Sequence, residues 1–270
     1  MPYRDDLITH LETYKETRLG VFEFGLDKNK KRYRHILPIE IKALNIIEKF
    51  RAELVAYIEG NESVSYDSGF HHLNSSQAFA FNLFFPFFWI VEQSTVLQNS
   101  FDLEGVISEW HFEYIPQTEE GSNIDVAWKS RNSPWNFCEV KLTETNYGTA
   151  TPNEERLAKL NDIYAPRLQN IVPPDFLNPD TFFKNYQVLR NLSYLHLPEV
   201  ENVFFLMPRG NTIALRHLNL VLQFVSAEYR SQIHVVFLED LVEKLLQSVS
   251  ISPELRCYMN SFSEKYLPEF

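Results

Sequence analysis

The chain has only two cysteines among its 270 residues, Cys138 and Cys257, so no disulfide framework can be built from it. Long apolar runs are equally scarce. The longest, residues 78–91, is interrupted by Asn82 and Pro86. A membrane span needs roughly 20 apolar residues, so this segment is expected to be a buried element of a soluble protein. The opening MPYRDDLITHLETYKETR carries no apolar leader stretch, and the expected location is cytoplasmic. No internal repeat or low-complexity tract is present. Positive charge is also in short supply, with a formal net charge of -11 and a pI near 5.2. A protein that coats nucleic acid without specificity needs surplus Lys and Arg to neutralise phosphates, and the acidic balance counts against that class. It leaves room for an enzyme with one local basic surface. The only concentrated cations are in KNKKRYRH, Lys28–His35, which reads equally as a nucleic-acid-contacting arm (Lys30, Lys31, Arg32) or as a solvated loop.

Apolar residues make up 44% of the chain and aromatics 14%, enough for a substantial core and too many for global disorder. Apolar spacing predicts a short polar helix at the N-terminus and a strong helix opened by Pro38 that carries Ile41, Leu44, Ile47, Leu54 and Ile58. Asn74 and Gln77 have the form of a capping box for a helix through Phe84, and Pro86 is expected to break it and start a second segment reaching about Gln93. Three strands follow, near 109–116, 123–129 and 136–143, then helices at 154–163 and 181–195, a strand at 203–207, a helix at 213–227, a strand at 233–238 and a helix at 241–247. This order predicts a mixed α/β fold. The expected division is an N-terminal helical extension over 1–73, a core over 74–248, and a C-terminal tail over 249–270 packed on that core.

The second and third strands carry the chemistry. Period-two alternation puts Asp125 on one face of its strand, Glu139 and Lys141 together on one face of theirs, and buries the face opposite. The short link Ser130–Trp135 makes the pair an antiparallel hairpin, with Asp125 opposite Glu139 or Lys141 and Cβ atoms roughly 5 Å apart. Two carboxylates and an ammonium thus converge. Hard divalent cations take one or two carboxylates plus water and phosphate oxygens, and such a cation can polarise a phosphodiester. The rival set Asp27, Glu40 and Lys42 falls where the apolar spacing is helical, which would make Glu40 and Lys42 diverge.

The words Ile124-Asp125 and Glu139-Val140-Lys141 resemble the PD-(D/E)XK nuclease motif, with Ile124 where the motif has proline. HHLNSSQAFAFNLFFPF, CEVKLTETNYG and YQVLRNLSYL are similar to stretches of a bacterial restriction-endonuclease-like family. The resemblance covers about residues 74–240. It implies a restriction-endonuclease-like core, with a central mixed β-sheet flanked by helices. It also implies metal ligation by Asp125, Glu139 and the Val140 carbonyl, and assistance to the nucleophile by Lys141. The cofactor would be Mg²⁺ or Mn²⁺ and the substrate DNA. A homodimer is one assembly left open, since the sequence does not fix the oligomeric state. The function expected is phosphodiester hydrolysis in a restriction or defence setting. The alternatives are a nuclease of RNA or single-stranded ends, and a degenerate member that binds nucleic acid or protein without cutting.

Further residues attach to this site. Gln187, Arg190, Asn191 and Tyr194 recur at helical spacing and could line the cleft, contacting phosphate or positioning the lysine. Glu92 and Glu109 are the candidates for an extra carboxylate. Glu144 falls off the Glu139–Lys141 face and reads as peripheral. His71 and His72 point apart on an extended chain, and Cys138 reads as core.

Overall fold

The computed structural model describes residues 2–268. In chain order the elements are helix α1 (Pro2–Thr17), the short strands β1 (Gly25–Leu26) and β2 (Arg32–Tyr33), helices α2 (Arg51–Glu59), α3 (Ser76–Trp89) and α4 (Ser94–Ser100), and strands β3 (Ile107–Tyr114), β4 (Ile124–Ser130) and β5 (Trp135–Val140). Helices α5 (Glu154–Lys159), α6 (Ala165–Leu168), α7 (Pro179–Lys184) and α8 (Tyr186–Ser193) precede β6 (Val200–Met207). The chain ends through α9 (Thr212–Leu222), β7 (Ile233–Phe237), α10 (Leu238–Gln247) and α11 (Pro253–Tyr266). Five strands form one mixed sheet in the order β3-β4-β5-β6-β7, flanked by helices as expected. β4 runs antiparallel to β5, and β6 runs parallel to both β5 and β7.

The chain divides into two compact units, a terminal unit of Met1–Ile107 with Leu238–Phe270 and a central unit of Ser108–Phe237. This partition differs from the expected division. Residues 74–107 and 238–248, placed there with the core, group with the N-terminal segment.

In the terminal unit, two of the expected helices have a different course. The helix expected from Pro38 to Ile58 is a 3₁₀ segment, Ile39–Asn45, then a second 3₁₀ turn, and only then α2. Side chains divert the backbone between them. The Asn45 carbonyl accepts from Asn82 Nδ2 and Lys265 Nζ, and the Ile47 N–H donates to Asn82 Oδ1 at 2.9 Å, so these groups are unavailable to a helical ladder. The second difference is that α3 runs unbroken through Pro86. Proline leaves the carbonyl four residues back without its helical donor. Here that carbonyl, on Asn82, accepts from the Tyr258 hydroxyl at 2.7 Å instead. The cap of α3 is Ser75, whose side chain accepts from the Ala78 N–H, while Gln77 turns away to Asp67 N and Ser65 O. Residues 77–88 are all buried, as expected for a core element. Helix α11 replaces the expected tail; Ser252 caps it and Pro253 stands in its first turn.

In the central unit one face of the sheet, bearing Ala127, Phe137, Val203 and Phe205, packs with Leu189 and Leu192 of α8 and with Leu218 of α9. The opposite face, with Val126, Cys138, Val140 and Leu206, is buried too. Alternation was expected to bury one face of β5 only. A strand central in the sheet and beside a parallel partner is instead buried on both sides.

Candidate active site

β4 and β5 pair with Val126 opposite Cys138 and Ala127 opposite Phe137, and one further step of that register sets Asp125 against Glu139. The pairing is closed by Asp125 itself, whose Oδ2 accepts from the Val140 N–H at 2.7 Å. A strand residue sends its N–H and C=O to the same side, so the Val140 carbonyl also leaves the chain on the Asp125 side. Glu139 is 2% exposed and Lys141 7%, so the site is built into the fold. Asp125 is half-buried.

Glu139 is the hub. Its Oε1 accepts from Lys141 Nζ at 2.7 Å. Its Oε2 accepts from Asn191 Nδ2 at 2.8 Å and from Arg190 Nη2 at 3.1 Å. Arg190 and Asn191, expected from helical spacing to face the cleft, therefore touch the same carboxylate as the lysine. Arg190 is further braced by Asn191 Oδ1, which accepts from its Nε and Nη2. Lys141 also lies over the Tyr147 ring, 5.5 Å from its centroid.

The electrostatics follow from this arrangement. Burial pushes the Glu139 carboxyl up, but the charges of Lys141 and Arg190 and the hydrogen bonds from Lys141 and Asn191 outweigh it and hold it below the usual range. Burial pulls Lys141 down, and the charges of Glu139 and Asp125 more than reverse this, so the ammonium is held above its ordinary value. Asp125 goes the other way. Burial and then the Glu139 charge raise it well above the usual carboxylate range. A third carboxylate, Glu113, adds to that rise.

Glu113, in β3 with a φ of 51°, accepts from Asn123 Nδ2 at 3.1 Å, and sequence reasoning passed over it. Glu109, expected as a possible extra carboxylate, pairs instead with Lys129 at 2.7 Å and with His111. Glu92, the other candidate, is exposed in a 3₁₀ turn of the terminal unit. Gln187 departs from its expected neighbours. Its side chain lies over Gly148, where an added Cβ would fall 2.6 Å from Gln187 Cδ, and its buried Oε1 has no hydrogen-bond partner. Tyr194 turns to Glu120, donating to Oε2 at 2.6 Å, and the Tyr164 hydroxyl donates to the other oxygen. Glu120 is buried and was not foreseen; only its place next to Gly121, a turn glycine with a φ of 72°, marked it. Burial raises the Glu120 carboxyl, and hydrogen bonds from Ser122, Tyr164 and Tyr194 outweigh that and lower it. Glu144 caps the end of β5, accepting from the N–H groups of Leu142 and Thr143. Read from alternation as peripheral, it is close enough for its charge to add to the rise of Lys141. Lys30, Lys31 and Arg32 are exposed in the terminal unit.

Among the described residues no three His, Cys, Asp or Glu side chains gather to hold a metal. The two-carboxylate set passes a different test. A carboxylate offers about four acceptor positions. Glu139 has used three of them and Asp125 one, so Glu139 keeps room for about one more bond and Asp125 for about three. Two facing carboxylates, one of them driven toward its neutral form by burial and by the other's charge, are also the donor chemistry that a hard divalent cation satisfies.

A mixed α/β sheet with acidic residues and a lysine at the end of its central antiparallel pair is the architecture of restriction-endonuclease-like proteins. The chain belongs to the family described as Restriction Endonuclease associating with ARP, whose model matches residues 9–267. No curated protein and no solved structure matches it. No single described helix is long and apolar enough to cross a membrane; one pair, Ser76–Trp89 with Val91–Ser100, passes only together and is bent by 106°.

Proposed function

We propose that the central unit hydrolyses phosphodiester bonds in DNA with a divalent cation, Mg²⁺ or Mn²⁺. The observation that carries this is the gathering of Lys141, Arg190 and Asn191 on the buried Glu139 carboxylate, with Asp125 opposite it across the strand pair. The family description adds restriction, and so DNA as substrate and a defence role, with ARP as an associate. Asp125, Glu139 and the Val140 carbonyl would hold the cation, which supplies charge neutralisation and a bound water of lowered pKa. Lys141, held above its ordinary value, stays protonated, so it orients the attacking water and opposes charge on the phosphate without taking a proton. Arg190 and Asn191 keep Glu139 ionised and fix its carboxylate plane. As the water oxygen bonds to phosphorus the water gives up one proton to solvent, the P–O bond to the leaving sugar oxygen breaks, and that oxygen takes a proton from solvent in turn.

The test is plasmid cleavage with Mg²⁺, Mn²⁺ or EDTA. Wild type should cut only with a divalent ion, and Asp125→Asn, Glu139→Gln and Lys141→Met should each lose at least about a hundredfold. Wild-type cutting by all three variants overturns the assignment. A second reading, an inactive relative that binds DNA or protein through this unit, is favoured by the three donors already on Glu139. It expects no cleavage with any divalent ion.

A further inference from the structure

The hairpin of β1 and β2 is pinned from inside and decorated outside. Lys15, buried in α1, donates its ammonium to the carbonyls of Glu23, Arg34 and Ile36, gripping both limbs at once. Gly25 presses so closely on the next segment that an added Cβ would fall 2.3 Å from the Leu37 carbonyl oxygen. The turn is closed by Asp27, whose Oδ1 accepts from the N–H groups of Asn29 and Lys31. The inner side is thus fixed without help from the outer one.

The outer side breaks the usual rule for surfaces. Phe22 and Phe24, either side of a bend at Glu23, and Leu26 in β1 are 70%, 43% and 49% exposed. The Arg32 guanidinium lies 5.4 Å from the centre of the Phe24 ring, and Lys31 lies 5.1 Å from that of Tyr33. Lys28, Lys30, Lys31 and Arg32 are all exposed, while Arg34 is already paired with Glu16. Exposed rings interleaved with unpaired cations, on a chain that is otherwise strongly acidic, match a polyanion that also offers flat apolar faces.

We propose that this hairpin is a binding site for single-stranded nucleic acid, with bases stacking on Phe22, Phe24 and Tyr33 and phosphates meeting Lys28, Lys30, Lys31 and Arg32. The choice of polymer rests on the nuclease reading of the central unit. Duplex DNA fits the charges but hides the base faces that the rings would take.

The test is fluorescence anisotropy of the full chain in EDTA, where cleavage plays no part, with a labelled oligothymidylate and a labelled duplex. Phe22→Ser/Phe24→Ser should weaken single-strand binding about tenfold or more and leave duplex binding unchanged. Lys28→Gln/Lys30→Gln/Lys31→Gln should flatten the single-strand salt dependence by about 0.7 in log–log slope for each phosphate that is no longer neutralised. Both variants alter exposed side chains, and unchanged circular dichroism confirms the fold. Wild-type single-strand affinity in both variants overturns the site, as does an equal loss on duplex. If the variants lose only binding to vesicles containing phosphatidylserine, the surface belongs to membrane and the site is overturned as well. A protein that binds by these rules but never cuts removes the nuclease reading alone. One that cuts but binds normally without its rings removes this inference alone.

Discussion

The two units bury cations in opposite ways. In the terminal unit, Lys15 and Lys265 face neutral oxygens, the first on three backbone carbonyls and the second on Asn45 O at 2.5 Å and Asn45 Oδ1 at 2.7 Å. Burial lowers both, Lys265 well below its ordinary value. In the central unit, Lys141 and Arg190 share one carboxylate and are both held above their ordinary values, because the anion outweighs burial. A neutral partner satisfies the donors and leaves the charge a liability. An anionic partner keeps the charge in place. The first arrangement ties segments together, and the second is suited to chemistry.

The sharpest way to break this contrast is to remove the hub. Glu139→Ala should lower stability by about 3–5 kcal/mol, since it strands two buried cations, while Glu139→Gln should cost less. Urea unfolding of both variants checks it; equal, small losses would mean that Glu139 is not the anchor of the cluster.

Next in size is cation binding. At about a hundred times its dissociation constant, Mn²⁺ or Ca²⁺ should stabilise the wild type by roughly 2.7 kcal/mol and Asp125→Asn by nothing comparable. The sign of the Asp125 shift sharpens this. Its folded pKa is raised, so its stabilising protonation is present below the unfolded pKa and is lost as pH rises through the folded value. Asp125→Asn should therefore be more stable than wild type near neutral pH without metal. Thermal melts with and without the ion, across pH, measure both effects.

The neutral-partner half of the comparison has its own pH signature. Lys265 has a lowered folded pKa, so the unfolded chain binds more protons between that value and the ordinary one. Stability should rise with pH across that window, by at most about 1.4 kcal/mol per pH unit for one proton. Lys265→Met should flatten the rise, and melts between pH 7 and 10 would show a slope that persists if another group is responsible.

Smallest is the neutral bond that repairs Pro86. Tyr258→Phe should cost about 1 kcal/mol or somewhat more. Pro86→Ala should lessen that cost, because the restored N–H can reach the Asn82 carbonyl. A double-mutant cycle with no coupling would separate the two.

The strand pair was legible in the sequence because alternation is local: the same period that set Glu139 beside Lys141 also fixed their face, and the helical spacing of Arg190 and Asn191 told of their common direction. What stayed hidden was decided at long range. The helix expected over 181–195 is broken at Asn185, whose side chain donates to Thr181 O and bonds His217 on α9, a residue no local pattern connects to it. Asn45 and Asn82 redirect the 38–58 segment in the same way. Glu113 and Glu120 differ from any surface glutamate only by what packs around them. Helix α11 was readable, with Ser252-Pro253 opening a run of Leu255, Tyr258, Met259, Phe262 and Tyr266, but its weak overall hydropathy resembles a tail.

The grip of Lys15 on the hairpin also has a consequence for exchange with solvent. The Gly25 N–H, bonded to the Ile36 carbonyl at 2.9 Å, belongs to a short ribbon near the surface, where fraying normally makes amides exchange fast. Here the limbs cannot separate unless an ammonium group gives up three carbonyls together or α1 moves with them. The Gly25 amide should therefore exchange at the rate of the α1 amides and slow with them. A two-stranded ribbon that by itself would flicker open should then open only when the helix does.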